Sequence, residues 1–503
     1  MTLLGKSISE IHKLLTSKET SATELAQAHL SYIEKSDHLT HAFLCLTKDL
    51  ALKQATEIDK LISAKKELPP LAGIPLAVKD VLCVESYPAT CGSKILEGFK
   101  PIYNATSVNL LFDAGAICVG KTNCDEFAMG SSNENSAYAK VTNPWNHNYV
   151  PGGSSGGSAA SVAAGFATIA LGTDTGGSVR QPASLCGVVG MKPTYGLVSR
   201  FGLIALASSL DHVGPFTRTV EDTIRTLAVM AKPDTHDSTS VPQKMRTANC
   251  DMVALLNDLP KITNLKNVKI GVIEELSGEG NEKSVQKALD LAIETLKTLG
   301  AKIDKVSLPK VKYALPVYYI LNPAEASSNL ARYDGVKYGA RDKSAQDLLS
   351  MYLSTRQSFI GSEPKRRIML GTYVLSSGYY DAYYKKAQRV RRLLTEEFND
   401  IFKSYDLVIC ATSPTTAFKF GDRTDDPLKM YMADVASIPA DLAGLPAISI
   451  PCGFDENNMP IGLQFMAAPL ADRKVLEAAY AFEKATDYTK FSPMLQKYES
   501  AKT

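Results

Sequence analysis

Two serine sites flanked by glycine lie in the most glycine-rich stretch of the chain, residues 152–180. Ser154 and Ser155 stand in the sequence GGSSGGS, and Ser178 ends the sequence TDTGGS. The apolar run 166–171 between them is short and is followed by glycine, which predicts a buried strand. The TDTGGS loop then follows the carboxyl end of that strand, where open α/β sheets carry their chemistry. Glycines beside a hydroxyl leave backbone N–H groups accessible, as a nucleophile with an oxyanion hole requires.

A serine nucleophile needs a base, and histidine is the usual one. The chain has seven histidines, of which only His147 and His212 lie near the glycine-rich stretch. A Ser-His-Asp triad therefore has little support in this sequence.

Lysine is the other candidate base, and Lys79 directly follows the predicted strand 74–78. Burial there would desolvate its ammonium group, which lowers the pKa of a lysine and makes a neutral amine available. The alternative is a lysine that points into water, as most lysines do. Ser154 or Ser155, placed between Lys79 and the TDTGGS serine, could relay the proton in a Ser–Ser–Lys triad. The structural alternative is a flexible loop in which Ser155 or Ser158 caps the following helix.

Two motif matches in this region are interpreted as accidental. Residues 115–122 fit the P-loop expression, but their apolar middle residues predict a strand instead of a phosphate-binding turn. Residues 152–156 fit G-x-S-x-G, but no strand precedes them, as a nucleophile elbow requires.

Composition argues against several function classes. The 503 residues carry 55 Lys and Arg against 53 Asp and Glu, a formal net charge of +2, so no strong field for nucleic acid or membranes follows. The most apolar run, 162–171, is interrupted by Gly165 and is too short for a bilayer. The first residues lack the features of a signal peptide. Nine cysteines without C-x-x-C spacing predict reduced core thiols in a cytosol-like compartment, and no zinc site.

The elements that must position these residues change character along the chain. Residues 1–66 are predicted to be helical, and Ser21 with Glu24 predicts a capping box. Residues 71–215 alternate short apolar runs with glycine-rich turns, which is the pattern of α/β packing. The polar stretch 232–266 is predicted to be a surface excursion.

Strands and helices alternate again beyond that excursion. A long helical region is predicted over 312–403, with breaks near Gly361 and Gly371. Shorter helices are predicted over 283–298 and 472–484. The remaining predicted strands are 74–78, 116–119, 268–273, 301–307, 407–410, 447–450 and 461–465.

Lys79, the GGSSGGS loop and the block GTDTGGSVRQPASLCG together resemble the amidase signature family. The resemblance extends from about residue 5 to 490 and implies one amidase domain over residues 1–503. The implied fold is α/β, the amidase signature fold, with a central mostly parallel or mixed sheet and helices on both faces.

The resemblance also implies roles for individual residues. The nucleophile of the family, the serine of its T-G-G-S loop, corresponds to Ser178. The relay serine, held by a cis peptide bond, corresponds to Ser154, and the lysine base corresponds to Lys79. The implied oxyanion hole consists of the backbone N–H groups of Thr175, Gly176, Gly177 and Ser178.

Further blocks are similar to one subfamily, the A subunits of glutamyl-tRNA(Gln)/aspartyl-tRNA(Asn) amidotransferases. These blocks are 120–134, 365–372, 376–386, 442–453 and 460–465. The arginine, acid and tyrosine that anchor L-glutamine in that subfamily correspond to Arg367, Asp434 and Tyr318. A guanidinium and a carboxylate would bind the α-carboxylate and α-ammonium of glutamine, which a plain amide lacks. The alternatives in sequence are Arg366 for the arginine and Asp425 or Asp426 for the acid.

The implied activity is that of a glutaminase subunit. L-glutamine would be hydrolysed through the Ser–Ser–Lys triad, and the ammonia would pass to a partner B subunit that binds charged tRNA. That partner would use ATP and Mg²⁺ to amidate Glu-tRNA(Gln) or Asp-tRNA(Asn), so this chain is expected to hold no cofactor or metal. A small C subunit would complete a heterotrimer. The expected location is the bacterial cytoplasm, with an organellar matrix or stroma as the alternative.

Two other functions compete with this one. A stand-alone amidase acting on small or lipid amides would need the triad but neither Arg367 nor Asp434, and no N-terminal membrane helix is predicted that would favour a lipid substrate. A non-enzymatic tRNA-binding protein is suggested by the Tyr-, Lys- and Arg-rich stretch 379–392. A solvated helix face is the simpler interpretation of that stretch.

Overall fold

Eleven strands form one continuous sheet in the computed structural model, which describes residues 3–500. In chain order they are β1 (Phe43–Leu46), β2 (Pro75–Lys79), β3 (Ile117–Thr122), β4 (Ile169–Asp174), β5 (Val189–Lys192), β6 (His212–Thr217), β7 (Lys269–Ile273), β8 (Lys302–Val306), β9 (Leu407–Ala411), β10 (Ala447–Phe454) and β11 (Pro460–Met466). Across the sheet the order is β1-β3-β2-β4-β6-β5-β10-β11-β9-β7-β8. The ends of the predicted domain, residues 1–2 and 501–503, lie outside the described residues.

Helices flank this sheet. Over the described residues they are α1 (Ile8–Thr16), α2 (Ala22–Ser36), α3 (Lys48–Ser63), α4 (Thr106–Asp113), α5 (Gly156–Ala163), α6 (Arg180–Cys186), α7 (Val220–Met230), α8 (Met252–Asp258), α9 (Lys283–Thr298), α10 (Ala314–Asn329), α11 (Leu348–Phe359), α12 (Ser362–Leu375), α13 (Lys386–Ile401), α14 (Pro427–Tyr431), α15 (Ile438–Leu442), α16 (Asp472–Ala485) and α17 (Pro493–Ser500). A π-helical turn, Tyr380–Lys385, leads into α13. Among the helices described, none has both the length and the apolar character needed to cross a bilayer.

Strands β2 and β4 place the two halves of the predicted site side by side. They are parallel neighbours, with Val78 paired to Leu171, and every residue of both strands is buried. Because the carboxyl ends of parallel strands meet at one edge of a sheet, Lys79 comes next to the start of the TDTGGS loop. The predicted buried strand 74–78 is confirmed as β2. The strand predicted over 166–171 exists but lies three residues later, because β4 starts at Ile169 and includes the first two residues of TDTGGS.

The sheet is mixed, as predicted. Of the ten strand pairings in the described part of the chain, six are antiparallel and four are parallel. Parallel pairing is confined to the blocks β3-β2-β4 and β9-β7-β8 and does not predominate. The α/β class and the mixed sheet are confirmed. The alternative of a mostly parallel sheet is wrong, because among the described strands parallel pairs occur only in these two blocks.

Several predicted elements occur where the sequence placed them. Ser21 and Glu24 form a reciprocal capping box at the start of α2. The predicted helices 283–298 and 472–484 correspond to α9 and α16. The supposed P-loop match at 115–122 forms β3, so its middle residues are strand and not a phosphate-binding turn.

Three strands were missed by the sequence analysis. β1 interrupts the region 1–66 that was predicted to be helical; it is only four residues long and half-buried. β5 and β6 contain glycine, and β6 also contains Pro215, residues that weaken the sequence signal of a strand. Antiparallel pairing of β6 with β4 supplies the hydrogen bonds that local propensity does not favour.

The stretch 232–266 folds into short helical segments, of which α8 is the longest, and is largely exposed. Met252 and Leu255 of α8 are buried, and α8 packs against α7. A few apolar side chains therefore attach this polar stretch to the rest of the molecule.

The helical region 312–403 breaks at Gly361, as predicted, because Gly361 is the residue that precedes α12. The break predicted near Gly371 falls after Leu375, where α12 ends, and Gly371 itself lies inside the helix. A Cβ atom at Gly371 would overlap the Pro323 carbonyl of α10 and would lie 2.8 Å from Ser327 Cβ. This glycine serves the close approach of two helices and does not end one.

Replacing Gly371 by alanine is expected to destabilise the protein although alanine is the better helix former. The new methyl group must push α12 away from α10, and such overpacking costs about 1–3 kcal/mol. The midpoint of thermal unfolding should therefore fall. Gly280→Ala is the matched control, because no atom lies within 4 Å of the added methyl group there. Equal midpoints for the two variants would contradict this account of Gly371.

Candidate active site

Lys79 ends β2 as a fully buried lysine whose partners are all neutral. Its Nζ donates to Ser154 Oγ at 2.8 Å, to Ser155 Oγ at 2.8 Å and to Thr173 Oγ1 at 2.9 Å. Its relative exposure is 0%. Burial lowers the pKa of Lys79 to about 8, because three hydroxyls replace bulk water without supplying a full negative charge. The neutral amine is therefore accessible near neutral pH, and the alternative of a solvated lysine is wrong.

Ser154 and Ser155 differ in the hydrogen bonds that their hydroxyl groups donate. Ser155 Oγ donates to the Thr173 carbonyl oxygen at 3.1 Å and accepts the Thr173 N–H at 3.2 Å. Ser154 Oγ accepts from Lys79 and donates to no acceptor among the described residues. The peptide bond between Gly153 and Ser154 is cis. The proton of Ser154 is thus free for another group, whereas that of Ser155 is engaged.

The interpretation of GGSSGGS as a helix cap is not supported. Ser155 occupies the N-cap position of α5, but its side chain makes no capping hydrogen bond. Ser158 Oγ donates to the Leu171 carbonyl oxygen at 2.9 Å, which joins α5 to β4. These serines attach the loop and helix to the neighbouring strand.

The TDTGGS loop is organised around Asp174, the last residue of β4. Its Oδ1 accepts the Gly177 N–H at 2.8 Å, and its Oδ2 accepts the Val179 N–H at 3.1 Å. The backbone N–H groups of Thr175, Gly176 and Ser178 have no hydrogen-bond partner in the described part of the chain. The assignment of Gly177 as an oxyanion donor therefore needs correction, because its N–H is already bound to Asp174.

Ser178 stands at the accessible end of this loop. Its relative exposure is 9%, the highest among the three residues of the predicted triad. Its hydroxyl makes no hydrogen bond to any described residue. A hydroxyl without a protein partner beside unpartnered N–H groups is suited to attack a carbonyl carbon.

Arg180 holds the loop from behind through a buried network of charges. Its Nε and Nη2 bind the two oxygens of Asp174 at 3.0 and 2.9 Å, and Nη2 also binds Asp441 Oδ2 at 2.6 Å. Its Nη1 donates to the Ser437 carbonyl oxygen at 2.8 Å and to Gln464 Oε1 at 2.6 Å. Burial alone would raise the pKa of Asp174, but the Arg180 guanidinium holds it below its usual range.

The two candidate histidines do not reach Ser178. His212 Nδ1 lies 3.1 Å from the Asp174 carbonyl oxygen, and His212 Nε2 lies 3.2 Å from Lys192 Nζ. Burial lowers the pKa of His212 well below its usual value, so it belongs to the network behind the loop as a neutral ring. His147 is exposed, and its Nδ1 lies 3.0 Å from Thr142 Oγ1.

Arg367 and Arg366 are distinguished by burial. Arg367 is 3% exposed, donates from Nε to Glu363 Oε1 at 2.8 Å, and donates from Nη1 to Asn322 Oδ1 at 3.2 Å. The Arg366 side chain is 45% exposed and pairs with the same Glu363 from outside. The structure therefore places Arg367, and not Arg366, in the interior.

The three candidate acids separate in the same way. Asp434 is buried, its Oδ2 accepts from Ser131 Oγ, and its Oδ1 has no hydrogen-bond partner in the described chain. Burial raises the pKa of Asp434 to about 7. Asp425 is exposed, and Asp426 caps α14 by accepting the Leu428 N–H at 2.9 Å. Asp434 is the acid with a free oxygen inside the protein.

Tyr318 and Asp434 both lie against the glycines of the TDTGGS loop. A Cβ atom at Gly176 would lie 2.6 Å from Tyr318 Cζ, and one at Gly177 would lie 3.7 Å from Asp434 Oδ1. Asn322 Nδ2 donates to the Tyr318 hydroxyl oxygen at 3.3 Å and thus links Tyr318 to Arg367. Tyr318 and Asp434 therefore lie at the loop that carries Ser178, and Arg367 is joined to Tyr318 through Asn322.

Supporting residues were missed by the sequence analysis. Thr173 is the third hydroxyl on Lys79, and Asn322 joins Tyr318 to Arg367. Asp125 accepts the N–H groups of Asn133 and Asn135 at 2.9 and 3.0 Å. Thr173 could have been found, since it is the first residue of TDTGGS. Asn322 could not, because its role depends on Arg367, which is 45 residues away in the sequence. In the described chain no group of three His, Cys, Asp or Glu side chains could hold a metal ion.

Comparison with known proteins agrees with this geometry. The model of the family described as amidase matches residues 24–476, which include every residue placed in the site above. The chain belongs to the amidase family.

Relatives in the amidase family extend over nearly the whole chain. The A subunit of the glutamyl-tRNA(Gln) amidotransferase of Acaryochloris marina is 53% identical over 489 residues, which cover 97% of this chain and 100% of the relative. The crystal structure of the A subunit of the same enzyme from Thermotoga maritima matches with a TM-score of 0.80 and 40% identity, covering 98% of each chain. The peptide amidase of Stenotrophomonas maltophilia matches with a TM-score of 0.81 and 29% identity, covering 97% of this chain and 98% of that one.

Removing the central cation of this amidase should be strongly destabilising. Arg180→Met leaves Asp174 and Asp441 buried without their partner, and breaking a buried ion pair costs about 3–5 kcal/mol. The thermal unfolding midpoint should fall sharply. Arg392→Met is the matched control, because the side chain of Arg392 is 82% exposed in a surface pair with Glu396. If the two variants unfolded at the same temperature, the network would not support the fold as described.

Proposed function

We propose that this chain is the glutamine-hydrolysing component, the A subunit, of a tRNA-dependent amidotransferase. The observation that carries the proposal is that Tyr318 and Asp434 lie against the glycines of the TDTGGS loop, with buried Arg367 linked to Tyr318 through Asn322. Burying an arginine and an aspartate whose Oδ1 has no hydrogen-bond partner in the described chain costs free energy. A substrate with charged groups would offset that cost by binding them, whereas a simple amide would not. The similarity to amidotransferase A subunits over nearly the full chain supports the same assignment.

The reaction begins with proton transfer toward neutral Lys79. Ser178 Oγ attacks the side-chain amide carbon of glutamine, its proton passes to Ser154 Oγ, and the Ser154 proton passes to Lys79 Nζ. Lys79 Nζ and Ser154 Oγ are 2.8 Å apart. A neutral amine has a lone pair, so in the neutral form of Lys79 the Ser154 hydroxyl, whose proton binds no other described group, donates to Nζ along this route. The developing oxyanion is stabilised by the free N–H groups of Thr175, Gly176 and Ser178.

The second half of the reaction reverses the proton path. Lys79 returns its proton through Ser154 to the leaving nitrogen, and ammonia departs. A water molecule then attacks the glutamyl ester on Ser178, with the same lysine and serine accepting its proton, and glutamate is released. Formation and hydrolysis of the ester thus use the same two side chains to move protons.

Glutamine is selected by its α-carbon substituents. The Arg367 guanidinium pairs with the α-carboxylate, and the unpartnered Asp434 Oδ1 accepts from the α-ammonium. The Tyr318 ring, packed against Gly176, limits the space beside the reacting amide. A simple amide such as propionamide makes none of the charged contacts.

The ammonia is delivered to a B subunit, which uses ATP and Mg²⁺ to amidate Glu-tRNA(Gln) or Asp-tRNA(Asn), and a small C subunit completes the complex. Nothing in this chain is proposed to hold those cofactors or the tRNA directly. All nine cysteines are free thiols, which fits a reducing compartment such as the bacterial cytoplasm.

The decisive experiment compares ammonia release from L-glutamine and from propionamide. It is run with the purified chain alone, and then with candidate B and C subunits, ATP and charged tRNA. Glutamine-selective release that rises with the partners supports the proposal. Equal or faster turnover of propionamide without any partner effect would make the chain a stand-alone amidase.

Ser178→Ala should abolish glutamine hydrolysis, a loss on the order of 10⁴-fold or more, because the attacking atom is gone. Ser154→Ala should lose nearly as much, since the proton path is broken. Ser155→Ala is the matched control and should lose far less, because its proton is bound to Thr173. Ammonia release and circular dichroism are measured together. Full turnover by folded Ser178→Ala would remove Ser178 from its role.

The pH dependence of kcat/KM should report the ionisation of two different groups, Lys79 and Asp434. Lys79 must be neutral, so activity toward propionamide should rise with pH through a midpoint near the Lys79 pKa of about 8. Asp434 must be ionised to bind an α-ammonium, so glutamine should show an additional loss below about pH 7. Steady-state kinetics from about pH 5 to about pH 10, which is roughly two units below the lower pKa and two units above the higher one, would measure both midpoints. A single midpoint near the ordinary histidine pKa for both substrates would contradict Lys79 as the base.

A further inference from the structure

The segment 125–131 contacts two parts of the proposed site directly. The Asp125 N–H donates to the Ser154 carbonyl oxygen at 3.2 Å, so the segment supports the relay serine. At its other end, Ser131 Oγ donates to Asp434 Oδ2. One short piece of chain thus fixes both the proton relay and the acid proposed to bind the α-ammonium.

Glu126 reaches a third element from the same segment. It is 1% exposed, and its Oε2 and Oε1 accept the Gly361 N–H at 2.9 and 3.1 Å. Its Oε1 also accepts from Ser93 Oγ at 2.5 Å. Gly361 is the residue that precedes α12 and has no side chain with which to cap it. Glu126 therefore supplies the side-chain acceptor that Gly361 itself does not have, and it binds the backbone N–H at the N-cap position of this helix.

The backbone after Glu126 is held in an uncommon conformation. Phe127 has φ 50° and ψ 33°, and Ala128 has φ 60°, both in the left-handed region that side chains other than glycine rarely adopt. The Phe127 N–H donates to the Cys91 carbonyl oxygen at 2.8 Å. Two such residues in sequence cost energy and persist only where the surroundings fix them. In this segment two consecutive carboxylates bind different parts of the chain: Asp125 accepts from the loop at residues 133–135, and Glu126 accepts from Gly361.

The cap matters because of what α12 carries. Glu363 lies in the first turn of α12 and holds Arg367 Nε at 2.8 Å one turn later. A Cβ atom at Gly361 would overlap Glu126 Oε2, so the contact between the cap and the helix is close. Loss of the cap would free the first turn, and Arg367 would lose the fixed position of its own partner.

We propose that Glu126 is a positioning residue for substrate recognition, which sets Arg367 relative to Ser178 by capping α12. Glu126 touches no substrate and acts through Glu363 and Arg367. This inference rests on the proposed function, since it assumes that Arg367 binds the α-carboxylate of glutamine.

The test is the steady-state kinetics of glutamine hydrolysis by Glu126→Ala. KM should rise roughly tenfold, because a misplaced binding group weakens glutamine binding, while kcat stays within about twofold. A merely structural role would reduce the fraction of active molecules, which lowers kcat and leaves KM unchanged. Glu97→Ala is the matched control, because the Glu97 side chain is 58% exposed and pairs with Lys94 at the surface. It should change neither constant.

Glu126→Gln keeps the shape and an acceptor oxygen but removes the charge, so its KM should rise less than that of Glu126→Ala. If Glu126→Ala does not fold, an unchanged KM in Glu126→Gln overturns the inference. Arg367→Ala distinguishes a failure of the Glu126 inference from a failure of the proposed glutamine site. If Arg367→Ala raises KM and neither Glu126 variant does, the inference is wrong and the proposed function stands. If Arg367→Ala leaves KM unchanged, the proposed glutamine site is wrong and the inference falls with it.

Discussion

The chemistry of this molecule depends on a lysine that is buried without a counter-ion. Lys79 is surrounded by three hydroxyl oxygens, which satisfy the three N–H bonds of an ammonium group but do not supply negative charge. A carboxylate in the place of any one of them would stabilise the protonated form and remove the base. The parallel pairing of β2 and β4 brings Lys79 to Thr173, and the adjoining loop brings the two serines. The position of two neighbouring strands therefore decides the protonation state of the base.

A separate buried network of charged residues fixes the loop that carries Ser178. Asp174, Arg180 and Asp441 form a buried network that fixes the backbone of TDTGGS from behind. Such a network adds little net stability compared with apolar packing, but it is costly to break and it holds one geometry. The Asp174 carboxylate engages the Gly177 N–H, which leaves a smaller set of N–H groups free toward substrate. The charged network thus makes the loop rigid, while the three hydroxyl groups around Lys79 allow that lysine to be neutral.

Local sequence patterns predicted the parts of the fold that have a clear period or a clear end. The strands β2 and β4, the helices α9 and α16 and the α2 capping box belong to this class. β6 was missed because its Gly214 and Pro215 weaken the strand signal, and pairing with β4 overrides that local preference. Gly371 was interpreted as a helix break because its use, contact with Pro323, lies in a different helix. For the site, the residue pattern alone left Ser154 and Ser155 equivalent, and the family resemblance assigned the relay to Ser154. The hydrogen bonds between Ser155 and Thr173 give the physical difference between the two serines. The resemblance likewise assigned Arg367, with Arg366 as the alternative. Their difference in burial, which adjacent residues in sequence do not reveal, favours Arg367.

The central claim is that Ser178 forms a covalent bond to the substrate through Ser154 and Lys79. It is tested most directly by mixing the enzyme with L-glutamine, quenching in acid during turnover, and locating the glutamyl group by mass spectrometry of the digested protein. The account predicts a glutamyl ester on the peptide that contains Ser178, formed more slowly in Ser154→Ala. A glutamyl group on Ser154, Ser155 or a cysteine would contradict it.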